Sequence, residues 1–152
     1  MSEVPEKIIL PSSGRSNLEP QLIQAFLETD FRVEFSMGVS LVLNIGEQSD
    51  PLRRLHELSN VTSSAFITAW NPRSKLTDQS TNTQLNNALK EHLRLLGLNV
   101  YPGLGLHPSG SWDGEESILV LGMSLAKAIE YGNTFDQNAI VWTGKEGIPQ
   151  LV

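Results

Sequence analysis

Apolar residues recur along this chain with two different spacings, which together predict a mixture of helices and strands. Between residues 19 and 29 they recur every three to four positions, as they do on one face of a helix. From Phe31 to Phe35 they alternate with polar residues, and a second apolar run follows Gly38 up to Ile45. This second region predicts either one long bent strand or a hairpin that turns near Gly38.

The rest of the chain predicts strands and helices in alternation. The predicted elements are, in order, a helix from Asp50 to Leu58, a strand at 65–70, a helix that ends near Leu96 with Leu85, Ala88, Leu89, His92, Leu93 and Leu96 on its apolar face, strands at 99–101 and 117–123, a helix at 124–131, and strands at 138–143 and 148–152. From residue 65 onward the order is β-α-β-β-α-β, the ferredoxin-like split βαβ, in which both helices cover one face of an antiparallel sheet. We therefore predict an α+β fold, with a ferredoxin-like unit preceded by a helix and one or two extra strands.

Glycine and proline mark the expected ends of these elements. Gly97 is positioned to cap the long helix, and Gly132 is positioned to close the helix that begins at Ser124. Residues 102–116 contain four glycines and two prolines, which predicts a long irregular loop. Loops of that length are uncommon unless they are functional or disordered.

Two segments differ in composition. Residues 1–18 are rich in proline, serine and glycine, which predicts a flexible N-terminal arm. Its apolar triplet, Ile8 to Leu10, leaves open that the arm docks as an edge strand. Residues 19–152 are expected to form a single α+β domain, since this length is close to the commonest size of one domain.

Composition and charge exclude several classes of protein. The sequence is 39% hydrophobic and 18% charged, which is typical of a folded globular domain. It has no cysteine, so disulfides, thiolate nucleophiles and cysteine metal ligands are excluded. No apolar run approaches the roughly 18 residues that a membrane helix needs. The acidic N-terminal residues are not those of a signal peptide, so we expect a cytoplasmic protein without a membrane partner.

The chain carries none of the usual signatures of a catalytic or cofactor site. Its net charge is −6, without the clustered Lys and Arg that contact a phosphate backbone, so we expect no nucleic-acid partner. Walker, dinucleotide-binding, zinc-protease and nucleophile-elbow motifs are absent. Histidines occur singly at 56, 92 and 107, which gives no metal spacing, and we expect no metal and no cofactor. Only His107, in the glycine-rich loop, is a functional candidate.

Trp70-Asn71-Pro72 follows the end of a buried-type strand. Because Asn71 precedes proline, its backbone is biased to extended or turn geometry. The structural interpretation is that its amide caps the following loop. The functional interpretation is that the amide and Trp70 line a cleft.

Trp112 and three carboxylates, the last of which is Glu116, lie on a loop that leads directly into an apolar strand. A carboxyl at such a place can have a raised pKa and act as a general acid or base, or it can bind a ligand by hydrogen bonds. The simpler interpretation is that the acidic side chains face water at the strand end.

Gln137 and Asn138 place two adjacent amides at the entry to a strand. An amide both donates and accepts hydrogen bonds, which suits a base edge, a sugar or a peptide group. It suits the backbone groups of neighbouring loops equally well.

The same segments resemble a bacterial family of unknown function, domain of unknown function 3293, over roughly Phe31 to Trp142. The resemblance rests on Ile45-Gly46, on the stretch from Ala65 to Pro72, on Asn82, on Gly103 and Gly105, on Trp112 with Glu115-Glu116, on Val120-Leu121-Gly122, and on Gly132 with the stretch from Phe135 to Trp142. The resemblance implies no established activity. The chain departs from the family pattern in having Gln84, Asn86 and Asn44 where basic or histidine residues are usual, which puts any anionic ligand in doubt.

Three functions remain open. The first is a small-ligand-binding or regulatory module, whose ligand-binding residues are Trp70, Asn71, Asn82, Trp112, Glu116, Gln137 and Asn138. The second is a protein-interaction or oligomerisation domain that uses a free sheet edge, so a homo-oligomer stays open. The third is a metal-independent enzyme with Glu116 as acid or base. The sequence names neither the small molecule nor the protein partner.

Overall fold

The computed structural model describes residues 20–35, 40–107, 109 and 114–152. In chain order the elements are α1 (Pro20–Glu28), β1 (Asp30–Glu34), β2 (Ser40–Leu43), α2 (Asp50–Leu58), β3 (Ser64–Ile67), α3 (Gln79–Leu95), β4 (Val100–Leu106), β5 (Glu115–Leu121), α4 (Leu125–Thr134), β6 (Val141–Thr143) and β7 (Pro149–Leu151), with a 3₁₀ turn at Pro72–Ser74. The predictions made for the arm at 1–18 and for Trp112 fall outside the described residues.

The seven strands form one antiparallel sheet in the order β2-β1-β4-β5-β3-β6-β7, curled into a half-barrel. The predicted mixed α+β class is therefore confirmed. β1 and β2 are paired with Glu34 opposite Ser40, so the hairpin is the correct one of the two alternatives. The extra strands predicted before the ferredoxin-like unit are β1 and β2, which extend one side of the sheet, and the predicted last strand is β7, which extends the other.

Both faces of the sheet are covered. On one face Ile67 and Val120 pack with side chains of α3 and α4. On the other face Phe66 and Leu119 pack with Leu52 of α2 and with half-buried side chains of α1. Strands that are buried on both faces have continuous apolar runs, which explains the sequences of β3 and β5.

The predicted irregular loop at 102–116 is wrong at both ends, because β4 extends to Leu106 and β5 begins at Glu115. Pro102 is tolerated in β4 because it pairs with β5 alone, and pairing with β1 begins one residue later. Gly103 is required by packing, since a Cβ there would lie 2.6 Å from the ring of Phe66. In the sequence, Pro102 and Gly103 are residue types that are typical of loops. In the structure, each fits its place in β4: Pro102 where β1 does not pair, and Gly103 against the ring of Phe66.

Two other helix predictions need correction. α4 does not end at Gly132 but continues to Thr134, and a Cβ on Gly132 would lie 3.1 Å from Ile140. The buried stripe of α3 comprises Asn82, Asn86, Leu89 and Leu93, whereas Ala88, His92 and Leu96 of the predicted apolar face are exposed. The cap at Gly97 is confirmed by its left-handed backbone, with φ of +73°.

The two ends of the sheet differ in character. At one end β3 and β4 finish and β5 and β6 begin, and we call it the polar end; it comprises residues 68–78, 107, 114–116 and 135–138. Among the residues that the structure describes, the opposite end carries four exposed apolar side chains, Leu58, Leu95, Leu96 and Val100, and we call it the apolar end. None of the described helices is long and apolar enough to cross a membrane.

His56 of α2 is buried in the core, with 3% of its surface exposed. Its Nε2 lies 2.9 Å from Ser64 Oγ, and its Nδ1 has no hydrogen-bond partner in the described part of the chain. Burial lowers the pKa of His56, because a charged imidazole would lose its hydration. Folding therefore favours the neutral form of the His56 ring over the charged form.

This burial predicts that the protein loses stability in mild acid. Between the lowered pKa of His56 and its unfolded value of about 6.5, the unfolded chain binds more protons than the folded one. The contribution of His56 to the free energy of unfolding has its full value above about pH 6.5. It falls as the pH drops towards the pKa of His56 in the folded protein. Urea unfolding from about pH 8 to pH 5 measures this loss.

His56→Gln should show a smaller loss over the same range, and Asn87→Gln, which changes an exposed side chain that does not titrate, should keep the wild-type slope. The raised pKa of Glu115 acts with the opposite sign, but it is common to all three proteins and cancels in the comparison. Equal slopes for wild type and His56→Gln would contradict the assignment.

Candidate functional site

Asn86 joins three elements at the polar end. Its Oδ1 accepts a hydrogen bond of 2.7 Å from the backbone N–H of Ala69, and its Nδ2 donates one of 2.8 Å to the carbonyl of Glu116. The hydroxyl of Thr68 donates to the same carbonyl at 2.5 Å. Backbone groups beyond the end of β3 have no strand partner, so these side chains satisfy them instead.

Asn82 lies one turn earlier on α3 and holds the next part of the chain. Its Oδ1 accepts the N–H of Asn71 at 2.7 Å, and its Nδ2 donates to Asn71 Oδ1 at 2.9 Å and to the carbonyl of Thr77 at 3.1 Å. Asn71 Oδ1 also accepts the N–H of Thr77 at 3.0 Å. The amide oxygen of Asn71 thus caps the loop, as the structural interpretation proposes, while its Nδ2 remains for another partner.

The loop after Asn71 has an unusual backbone. Asn71, Arg73 and Ser74 all have positive φ, between 46° and 59°, and Asp136 opposite them has φ of 54°. Non-glycine residues in this region cost about 1–3 kcal/mol each where the conformation is sparsely populated, and such residues cluster at functional sites. The N–H of Arg73 donates to the carbonyl of Asp136 at 2.6 Å, and the side chains of the two form an ion pair at 3.6 Å.

Gln137 and Asn138 attach a second segment to this loop. Gln137 Nε2 donates to the carbonyls of Trp70 and Phe135, each at 3.3 Å. Asn138 Nδ2 donates to Ser74 Oγ at 3.0 Å. Both amides therefore bond to groups of neighbouring loops, as the structural interpretation of Gln137 and Asn138 predicts.

The carboxyl of Glu115 differs from the other acidic groups at this end. It is half-buried, and its Oε2 accepts a hydrogen bond of 3.2 Å from Asn71 Nδ2. Burial raises the pKa of Glu115, and the hydrogen bond from Asn71 offsets part of that rise. Glu116, the carboxylate singled out in the sequence, has an exposed side chain and contributes its backbone carbonyl to the network.

The structure thus brings six of the seven predicted site residues to one end of the sheet: Trp70, Asn71, Asn82, Glu116, Gln137 and Asn138. Asn82 and Gln137 are buried, and their amides are engaged within the protein. His107 lies at the same end, where its ring contacts Glu28 and Ser109. Glu28 and Ser109 are additions that the sequence did not mark, and Glu115, which the sequence marked only as one of three loop carboxylates and in the family resemblance, is added as a site residue. Within the described ranges no three His, Asp or Glu residues are grouped closely enough to hold a metal ion.

Replacing Asn86 with alanine should destabilise the protein by about 2–4 kcal/mol, because the buried N–H of Ala69 and the carbonyl of Glu116 lose partners. The neighbouring exposed Asn87 provides a matched control. Asn87→Ala should change the free energy of unfolding by no more than about 0.5 kcal/mol. Chemical denaturation of the three proteins measures both values, and similar losses in both variants would contradict the role given to Asn86.

Comparison with known proteins adds one finding. No curated protein and no solved structure matches the chain significantly. A family model described as "Protein of unknown function (DUF3293)" matches residues 67–140, which include α3, β4, β5, α4 and Glu115. The resemblance that the sequence motifs indicate is thereby confirmed: residues 67–140 match DUF3293, a family of unknown function.

Proposed function

We propose that this domain binds a small molecule at its polar end, with the carboxyl of Glu115 and the amide nitrogen of Asn71 as the central contact groups. The observation that carries the proposal is the state of Glu115, which is half-buried and has a raised pKa. Among the residues that the structure describes, its carboxyl accepts a hydrogen bond from Asn71 alone. A carboxylate has about four sites for hydrogen bonds, so most of its capacity is available to a ligand.

The chemistry of Glu115 favours a ligand with an amino or guanidino group. A desolvated carboxylate is stabilised by an opposite charge within a few ångströms. Over the described ranges, the lysine and arginine ion pairs involve other acidic groups, and Arg73 is paired with Asp136. A bound cation would supply the charge that the protein does not.

The surrounding amides support this site by holding it rigid. Asn82 and Asn86 fix the backbone from Ala69 to Thr77, and Gln137 fixes the carbonyl of Trp70. Binding groups held in place before the ligand arrives lose less entropy on binding. We therefore assign Asn82 and Gln137 a positioning role. Trp70, Glu116 and Asn138 are proposed to border the ligand, and Trp112 enters the proposal from the sequence alone.

We also propose that residues 64–143 form a ferredoxin-like split βαβ unit within the larger sheet. The order β4-β5-β3-β6 and the antiparallel pairing of these neighbours support this assignment. The packing of α3 and α4 on one face supports it as well. In this arrangement loop 68–78 and segment 135–138 flank the same end of β3.

A second candidate function, self-association, is favoured by the apolar end. Leu58 and Leu95 are 78% and 71% exposed, and Leu96 and Val100 lie at the same end of the sheet. Glu57 precedes Leu58 and Arg94 precedes Leu95, and both are exposed. A two-fold contact between two copies of this chain can bury the leucines, with Glu57 and the Arg94–Glu91 ion pair at its polar border.

Binding of an amine should be tied to the protonation of Glu115. A cation stabilises the charged carboxylate, so binding should release a proton wherever the free carboxyl is partly protonated. Calorimetric titration of a panel of small amines and guanidines, between about pH 5 and pH 8 in buffers of different ionisation enthalpy, measures both affinity and proton release.

Glu115→Gln should weaken binding at least about tenfold and abolish the proton release, since a hydrogen bond to a charged group contributes about 1.5–3 kcal/mol. Glu47→Gln, at an exposed carboxylate outside the proposed site, is the control and should change neither quantity. The proposal fails if no member of the panel binds, or if the two variants behave alike.

Self-association predicts a dimer that depends on the apolar end. Sedimentation velocity of the whole chain should show a concentration-dependent dimer, and Leu95→Glu should shift it to monomer by placing a charge in the contact. Leu76→Glu changes another exposed leucine, on the loop at the polar end, and should leave the dimer intact. A wild-type monomer at high concentration would exclude this function.

A further inference from the structure

His107 lies between a serine and a carboxylate. Its Nδ1 is 2.7 Å from Ser109 Oγ, and its Nε2 is 3.1 Å from Glu28 Oε1. Glu28 is the last residue of α1, and His107 follows the last residue of β4, so the contact joins residues that are far apart in the sequence. A hydroxyl bonded to one imidazole nitrogen and a carboxylate bonded to the other is the arrangement that activates serine nucleophiles.

The backbone fixes which ring nitrogen carries the proton. The N–H of Ser109 donates to His107 Nδ1 at 3.2 Å, and a backbone N–H can only donate. Nδ1 is therefore an acceptor, and Nε2 carries the ring proton and donates it to Glu28. The shorter contact at Nδ1 is then a hydrogen bond donated by the hydroxyl of Ser109. A lone pair on Nδ1 is thus directed at the proton that a nucleophilic serine must lose.

The exposure of the three residues fits these roles. The side chain of His107 is only 14% exposed, whereas Ser109 is open to solvent. Gln24 Nε2 donates to the second oxygen of Glu28 at 3.4 Å and helps to orient the carboxylate. The hydrogen bond from His107 is the largest cause of a lowered pKa for Glu28, so this carboxylate is held in its charged form. Its position at the C-terminus of α1 is unfavourable to a negative charge, which makes the contact with His107 the compensating interaction.

We propose that Ser109, His107 and Glu28 form a nucleophilic site that hydrolyses small carboxylic esters, with Ser109 as nucleophile, His107 as general base and Glu28 as a positioning residue. Ser109 Oγ bonds to the ester carbonyl carbon as its proton passes to His107 Nδ1. The carbon–oxygen bond to the leaving alcohol then breaks, and that alcohol takes the proton from Nδ1. Water attacks the acyl-serine in the same way, gives its proton to Nδ1, and releases the carboxylic acid as Ser109 recovers its hydrogen.

The test uses the whole chain with a fluorophosphonate reagent, which phosphonylates activated serines, and with p-nitrophenyl acetate. Mass spectrometry should find one adduct, on Ser109, and ester cleavage should show an initial burst of nitrophenol from acylation. Ser109→Ala should abolish both. His107→Gln should slow labelling by about 10²–10⁴-fold, the usual contribution of a general base.

The remaining variants separate catalysis from structure. Glu28→Leu removes the acceptor for His107 Nε2–H, whereas Glu28→Gln keeps an oxygen there, so labelling should be slower in the leucine variant. Ser80→Ala changes another exposed serine, and in this variant Ser109 should be labelled at the wild-type rate. Ser109→Ala should bind amines with the wild-type affinity, which distinguishes a failure of this proposal from a failure of the amine site. A wild-type protein without an adduct, or an adduct that persists in Ser109→Ala, would overturn the proposal.

Discussion

The polar end of this domain depends on two asparagine side chains that replace a missing strand partner. β3 ends at Ile67. The backbone N–H groups of Ala69 and Asn71 beyond it have no neighbouring strand to bond, and asparagine side chains accept them instead. Asn82 and Asn86 are four residues apart, so they lie on one face of α3 and reach successive parts of this segment. Leu89 and Leu93 continue the same buried stripe. One helix face therefore packs apolar side chains against the middle of the sheet and amides against its end.

The properties of Glu115 follow from that constraint. Because Asn82 holds both the N–H and the side-chain oxygen of Asn71, the amide nitrogen of Asn71 is directed to Glu115. The carboxyl is half-buried, and one neutral hydrogen bond does not offset the loss of water, so its pKa remains raised. The positive φ angles of Arg73 and Ser74 belong to the same frame, since their segment is tied to Asp136 and Asn138. A loop with positive φ angles that side-chain hydrogen bonds hold in place, beside a carboxyl that accepts one hydrogen bond from the described residues, is the arrangement expected of a preorganised site.

Most of the helices and strands, and several residues of the candidate site, could be predicted from the sequence. The predictions that were wrong or missing have physical causes. Periodicity gave the helices and most strands, and amides at strand ends marked Asn71, Gln137 and Asn138. It did not separate Glu115 from Glu116, because Ser117 to Leu121, which follow them in β5, are buried on both faces and have no period of two that would assign a face to either glutamate. Pro102 and Gly103 indicated a loop because their roles depend on where β1 stops pairing and on the ring of Phe66. The contact of Glu28 with His107 joins α1 to the end of β4, and nothing local in the sequence encodes it.

Two carboxyl groups at the polar end are held in opposite states. The pKa of Glu28 is lowered, first by its hydrogen bond to His107, and the pKa of Glu115 is raised by burial. Divergent environments of this kind assign different chemical roles to groups of the same type. The strand register connects them: Gly105 of β4 is opposite Glu115, and His107, which holds Glu28, lies two residues further along the same segment. The pairing of β4 with β5 therefore places the carboxyl with a raised pKa and the carboxyl with a lowered pKa at the same end of the sheet.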